Sequence, residues 1–174
     1  MVSKEQNTMS TTALALPGYF ADIDQYTRDA SENVTGVRRH ARPKWLVTFL
    51  TLPLLWPLRA LDSSLGQTIR VLNSNALDSL SDKQVRLIAH SITQSNGRLC
   101  KLLASAEELG LFGSIFSYYW TAISKKHERM QSIAEGLYMS LDEETVEALR
   151  DLITEATGQQ TPNGPQQGSL IGCV

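Results

Sequence analysis

Little in this chain announces chemistry. Its 174 residues include two cysteines, Cys100 and Cys173, too few for a disulfide scaffold or a four-cysteine zinc site. Charge of either sign is not in large excess: 16 Lys+Arg against 18 Asp+Glu leave −2. That excludes a global basic footprint for nucleic acid. No apolar run reaches the roughly 18–20 residues of a standard membrane span. No segment alternates strictly between apolar and polar, and β-branched residues do not cluster, so strands find no support.

Catalytic motifs are absent as well. There is no Gly-x-Ser-x-Gly, no phosphate-binding Gly-x-x-x-x-Gly-Lys-Ser/Thr and no dinucleotide Gly-x-Gly-x-x-Gly. The histidines, His40, His90 and His127, have no second ligand at zinc spacing. No Glu-x-x-His supports a di-iron bundle. Arg98 and Lys101 flank Cys100 and could activate its thiol, but a small apolar helix position explains it better. The sequence therefore reads as a non-enzyme with no cofactor and no metal.

What is present is globular and helical. Hydrophobic residues make up 42% and charged residues 20%, near the average for folded domains, and the length suits one domain. Residues 1–17 are rich in Ser, Thr, Gln and Asn and read as a flexible leader. Pro17-Gly18 reads as a turn. Phe20, Ile23 and Tyr26–Thr27 suggest a short amphipathic helix over 18–31. Gly36 and Pro43 bracket a basic cluster expected to be irregular. Leu61, Leu65, Ile69 and Leu72 predict a helix over 60–73. Ser81 and Gln84 form a capping box, followed by Val85, Ile88 and Ile92. Asn96-Gly97 is expected to break or kink that helix before Leu99, Leu102, Leu103, Ala106 and Leu109 carry it to Gly110.

The segment 114–139 has the strongest pattern. Phe116, Ile123, Met130 and Leu137 recur every seven residues, with Tyr119 and Ile133 in adjacent rows and Lys126 at the intermediate place. Ser140 and Glu143 form a second capping box ahead of Val146, Leu149, Leu152 and Ile153. Acids in that first turn suit the helix dipole, and Gly158 is a stop. The low-complexity tail beyond it reads as disordered. The expected fold is thus all-α: a compact helical bundle over 60–157, a flexible N-terminal arm, a proline-kinked apolar segment and a disordered C-terminal tail. The boundaries are a leader over 1–17, an anchor region over 18–59, the bundle, and a tail over 158–174.

One constellation points to a location. Arg38, Arg39, Arg42 and Lys44 stand together without an acid, directly before Trp45–Leu58, a run of fourteen uncharged residues. As a helix this run would measure about 21 Å, short of the roughly 30 Å hydrocarbon core, and Pro53 and Pro57 interrupt it. Trp45 and Trp56 bound it, and indole rings favour the membrane–water interface. Cations beside an apolar insert attract anionic lipid. The expected membrane-binding residues are Arg38, Arg39, Arg42, Lys44, Trp45, Phe49, Leu50 and Trp56, and the competing reading is a buried core segment. The function expected is an adaptor, regulator or effector, cytoplasmic and peripherally attached to an anionic membrane surface, with an unknown protein partner. Phe116, Tyr119, Ile123, Met130 and Leu137 are the candidate protein-interaction or homo-oligomer seam, although a seam shorter than three to four clean heptads favours packing inside the bundle. The alternative is a soluble self-associating regulator touching nucleic acid through 125–129, where Lys125, Lys126, His127 and Arg129 follow Tyr118-Tyr119-Trp120. One helix carrying both groups makes the basic residues a solvated face rather than a nucleic-acid site.

Overall fold

The computed structural model describes residues 5–40, 43–74 and 80–140, with single positions at 147, 150 and 151. Five α-helices account for most of them: α1 (Glu5–His40), α2 (Lys44–Thr51), α3 (Leu55–Leu72), α4 (Asp82–Glu108) and α5 (Ser117–Met139). Single 3-10 turns at Leu52–Leu54 and Leu111–Gly113 join α2 to α3 and precede α5. Among the described residues there is no strand, so the all-α expectation is met.

The four long helices form a bundle because each carries one apolar stripe stepping by four and three. On α1 the buried positions are Leu16, Phe20, Ile23, Thr27, Ala30, Val34 and Val37. The 3-10 turn and α3 give Leu54, Leu58, Leu61, Leu65, Thr68 and Leu72. On α4 they are Ile88, Ile92, Ser95, Leu99, Leu102 and Ala106, and on α5 Phe116, Trp120, Ile123, His127, Met130 and Ala134. Such a step keeps one seam inward over several turns, as in coiled-coil-like bundles.

Contacts between helices fix the topology. α1 packs on α3 and α4, and α5 packs on the same two. The order around the bundle is therefore α1, α3, α5, α4. The pairs Tyr26–Trp56 and Tyr19–Ser64 run in opposite senses, so α3 is antiparallel to α1. Asp24–Arg98 and Arg38–Glu108 run in the same sense, so α4 is parallel to α1. Asn96–His127 and Thr93–Tyr138 make α5 antiparallel to α4, and hence parallel to α3.

Several sequence expectations need correction. The N-terminal segment is not an arm outside the bundle. α1 runs through the expected leader, the Pro17-Gly18 turn and Gly36. A proline inside a helix costs about 3 kcal/mol, but Leu16, Phe20 and Ile23 are buried around it, and burying each contributes about 1.5–3 kcal/mol. The core thus draws on α1 and on Leu54 and Leu58 as well as on residues beyond 60. α4 passes through Asn96-Gly97 without a break, since Ser95 and Asn96 lie on its buried side.

Other expectations hold. Pro53 does interrupt the helix, at the 3-10 turn. Pro57, also expected to interrupt, does not: it sits in the first turn of α3, where a missing donor leaves no partner unmet. Gln84 Oε1 accepts from the Ser81 amide at 2.9 Å, closing its half of the capping box. Gly110 ends the α4 segment at φ 68°, left-handed backbone that glycine tolerates. The Ser140–Glu143 box, the helix after it and the tail lie outside the described residues, apart from Glu147, Arg150 and Asp151, which are helical and exposed.

Candidate functional site

The region around α2 departs from the rule the rest of the bundle follows. Thr51, Leu54, Pro57 and Leu58 turn inward and are buried. Leu46, Val47 and Leu50 are half-buried. The outward side should then be polar, but it carries Trp45, Phe49, Leu52 and Trp56, at 71%, 65%, 51% and 64% exposure. Their spacing of four, three and four puts them on one stripe along α2, the 3-10 turn and the start of α3. Leu55 lies beside it at 45%. Apolar residues exposed singly are common, whereas a contiguous group of this size marks a contact surface. These exposures also remove the buried-core reading of Trp45 and Trp56.

The stripe is held rather than loose. Trp56 meets Tyr26 of α1 edge-on, ring centroids 5.6 Å apart, and Val47 packs against the core. Leu50, expected on the surface, is drawn partly toward the bundle, while Leu52 and Leu55 take outward places that sequence reading did not assign. The missed signal was legible: 45, 49, 52 and 56 already share a helical face.

Along the chain, the charges beside it are of one sign. Residues 33–61 contain five Lys/Arg and no Asp/Glu. Arg38 and Arg39 are exposed in the last turn of α1, where cations suit the dipole. Arg38 Nη2 lies 3.5 Å from Glu108 Oε2, both well exposed, an attachment weak enough to exchange. Arg59 is exposed on α3. Arg42 lies outside the described residues, and Lys44 is placed only as the first residue of α2.

The second candidate surface is resolved differently. Phe116, Ile123 and Met130 are buried in this chain's own core, and Tyr119 and Leu137 pack partly buried against it. The expectation of a protein-interaction seam there is therefore corrected: its recurrence of seven reflects packing inside the bundle. The basic segment 125–129 is likewise divided. Lys126 pairs with Asp62 of α3 and donates to its carbonyl at 2.8 Å. His127 is buried, its Nε2 3.2 Å from the Asn96 carbonyl oxygen. Burial holds that imidazole below its ordinary pKa, opposed by the Asn96 hydrogen bond and by the charge of Glu128. Of its basic side chains, only Lys125 and Arg129 are exposed.

No chemistry gathers elsewhere among the described residues. Among the described residues no His/Cys/Asp/Glu group could hold a metal ion, and no helix is long and apolar enough to cross a membrane. His40 is exposed, with Nδ1 2.9 Å from the Gly36 carbonyl oxygen. His90 is half-buried on α4. Cys100, also half-buried there, is not a free thiol. Compared with protein-family models, curated proteins and solved structures, the chain matches none.

Proposed function

We propose that the protein is a non-enzymatic adaptor, regulator or effector held at an anionic membrane surface through residues 38–58. The observation that carries this reading is the contiguous outward stripe of Trp45, Phe49, Leu52 and Trp56. Tryptophan at both ends of the stripe suits the headgroup level. A stripe lying along the surface of a folded domain suits shallow insertion in the plane of the interface. The flanking acid-free basic stretch supplies attraction to anionic lipid, which favours the cytoplasmic leaflet.

Two free-energy contributions add. Each cation near the surface is worth about 1 kcal/mol, so Arg38, Arg39, Arg42 and Lys44 reach about 4 kcal/mol at low salt. The apolar stripe adds several kcal/mol that salt does not weaken, at about 25 cal/mol per Å² removed from water. Co-sedimentation with phosphatidylcholine vesicles, with and without phosphatidylserine, at low and high salt separates the two. Reversing Arg38 and Arg39 to Glu should remove the preference for phosphatidylserine. Trp45→Ala with Trp56→Ala should release the protein at high salt while the bundle stays folded. Wild-type protein that stays in the supernatant at both salts defeats the reading. A soluble self-associating regulator is the second reading, favoured by the same four-three-four spacing, which a helix of another copy could also cover. Sedimentation equilibrium without lipid would show that dimer, and stripe substitutions would dissolve it.

A further inference from the structure

The docking stripe does not end at α3. Asp62 of α3 and Lys126 of α5 meet across the seam between these helices, and the two helices run parallel. Seven residues make nearly two full turns. One heptad earlier on both helices therefore brings Leu55 and Tyr119 level on the same facing flanks. Leu55 already borders the stripe, and Tyr119 is partly buried beside the core. The Tyr119 ring meets Tyr118 edge-on at 5.5 Å, and Tyr118 is 74% exposed. Tyr118 stands two residues before fully buried Trp120, which turns it outward. Ile115, in the turn leading into α5, is exposed at the same end of the bundle.

We propose that Tyr118 and Ile115 are a second lipid contact, so that the membrane-facing surface runs from α2 across the α3–α5 seam to the N-terminus of α5. This rests on the docking reading above and adds the side on which the bundle lies. The charge distribution agrees with that side. Of the acids at this end, Asp29 and Glu32 lie on α1, and Glu107 and Glu108 on α4, diagonal to α3, with Glu108 turned to Arg38; residues 109–127, which carry Ile115 and Tyr118, contain no Asp/Glu. A tyrosine at the rim of an apolar patch keeps its hydroxyl in water while its ring reaches the headgroups.

The molecule supplies its own controls. Leu87 at the start of α4 and Met139 at the end of α5 are also exposed apolar side chains, and both lie at the opposite end of the bundle. Partitioning onto phosphatidylserine-containing vesicles at high salt should fall about tenfold for Ile115→Ser with Tyr118→Ser, as expected when one or two apolar side chains leave the interface. Leu87→Ser with Met139→Ser should bind as the wild type does. A second measurement needs no loss of binding: Tyr118→Trp in a Trp45→Phe, Trp56→Phe background should shift its emission to the blue when vesicles are added, while the buried Trp120 stays constant. If the wild type binds but the Ile115/Tyr118 pair binds equally well and the new indole does not shift, the second contact is refuted and the docking stripe stands. If the wild type itself does not bind, the docking reading fails and this inference fails with it.

Discussion

The clearest stability test concerns His127. It occupies a core step of α5, between Ile123 and Met130, where the stripe otherwise takes an apolar side chain. In the unfolded chain the imidazole titrates near its ordinary value of 6.5. In the fold, burial lowers it, and the Asn96 carbonyl and Glu128 restore only part of that shift. Between the folded and unfolded values the unfolded chain binds more protons. Stability must therefore fall as pH drops below about 6.5, with a limiting slope of about 1.4 kcal/mol per pH unit. Going from pH 7.5 to 5.5, this one group removes up to about 1.4 kcal/mol. His127→Leu forfeits a hydrogen bond worth about 0.5–1.5 kcal/mol but buries apolar surface of comparable value. The variant should match the wild type within about 1 kcal/mol at pH 7.5 and exceed it at pH 5.5. Urea unfolding at both pH values, followed by far-UV circular dichroism, measures the difference. Equal losses in wild type and variant on acidification would refute the assignment of a neutral buried imidazole.

Three further substitutions probe the packing. Ile23→Ala should cost about 2–5 kcal/mol by urea denaturation, because Ile23 is fully buried on α1; a cost near zero would return α1 to the status of an arm. Trp120→Ala should cost about 3–5 kcal/mol, since the indole is fully buried and stacks on Phe112 at 5.8 Å; a thermal melt unchanged from wild type would contradict this. Gly110→Ala should cost about 1–2 kcal/mol from backbone strain alone, because φ is 68° and a Cβ there would meet no atom within 4 Å; a stabilised variant would mean the turn relaxes out of the left-handed region.

Helix content was readable where apolar residues showed the period themselves. The capping box at Ser81, the stop at Gly110 and the interruption at Pro53 follow from local chemistry, and local chemistry is preserved in the fold. α1 was not readable at its true length. Thr27 and Ala30 fill two of its core steps, and Thr27 satisfies its hydroxyl on the Ile23 carbonyl at 2.6 Å, so the stripe looks broken in sequence. Pro17, Gly18 and Gly36 carry breaker chemistry that tertiary burial overrides. On α5 the row of Phe116, Ile123 and Met130 is visible in sequence, but its companion row is Trp120, His127 and Ala134, and the pattern points to Lys126 instead because His127 does not look like a core residue. For the site, Trp45, Phe49 and Trp56 were readable as a group. Which side of the run faces outward depends on Thr51, Leu54 and Leu58 turning toward α1, and that is tertiary information.

The central claim, that the Trp45–Trp56 stripe meets lipid, is tested most directly by tryptophan quenching. The three indoles divide cleanly: Trp45 and Trp56 are exposed and Trp120 is fully buried. Acrylamide should quench the two exposed indoles in buffer. With phosphatidylserine-containing vesicles, that quenching should fall and the emission should shift to the blue, and Trp45→Phe with Trp56→Phe should abolish both changes. Emission and acrylamide access that stay the same with vesicles at low salt would contradict the account.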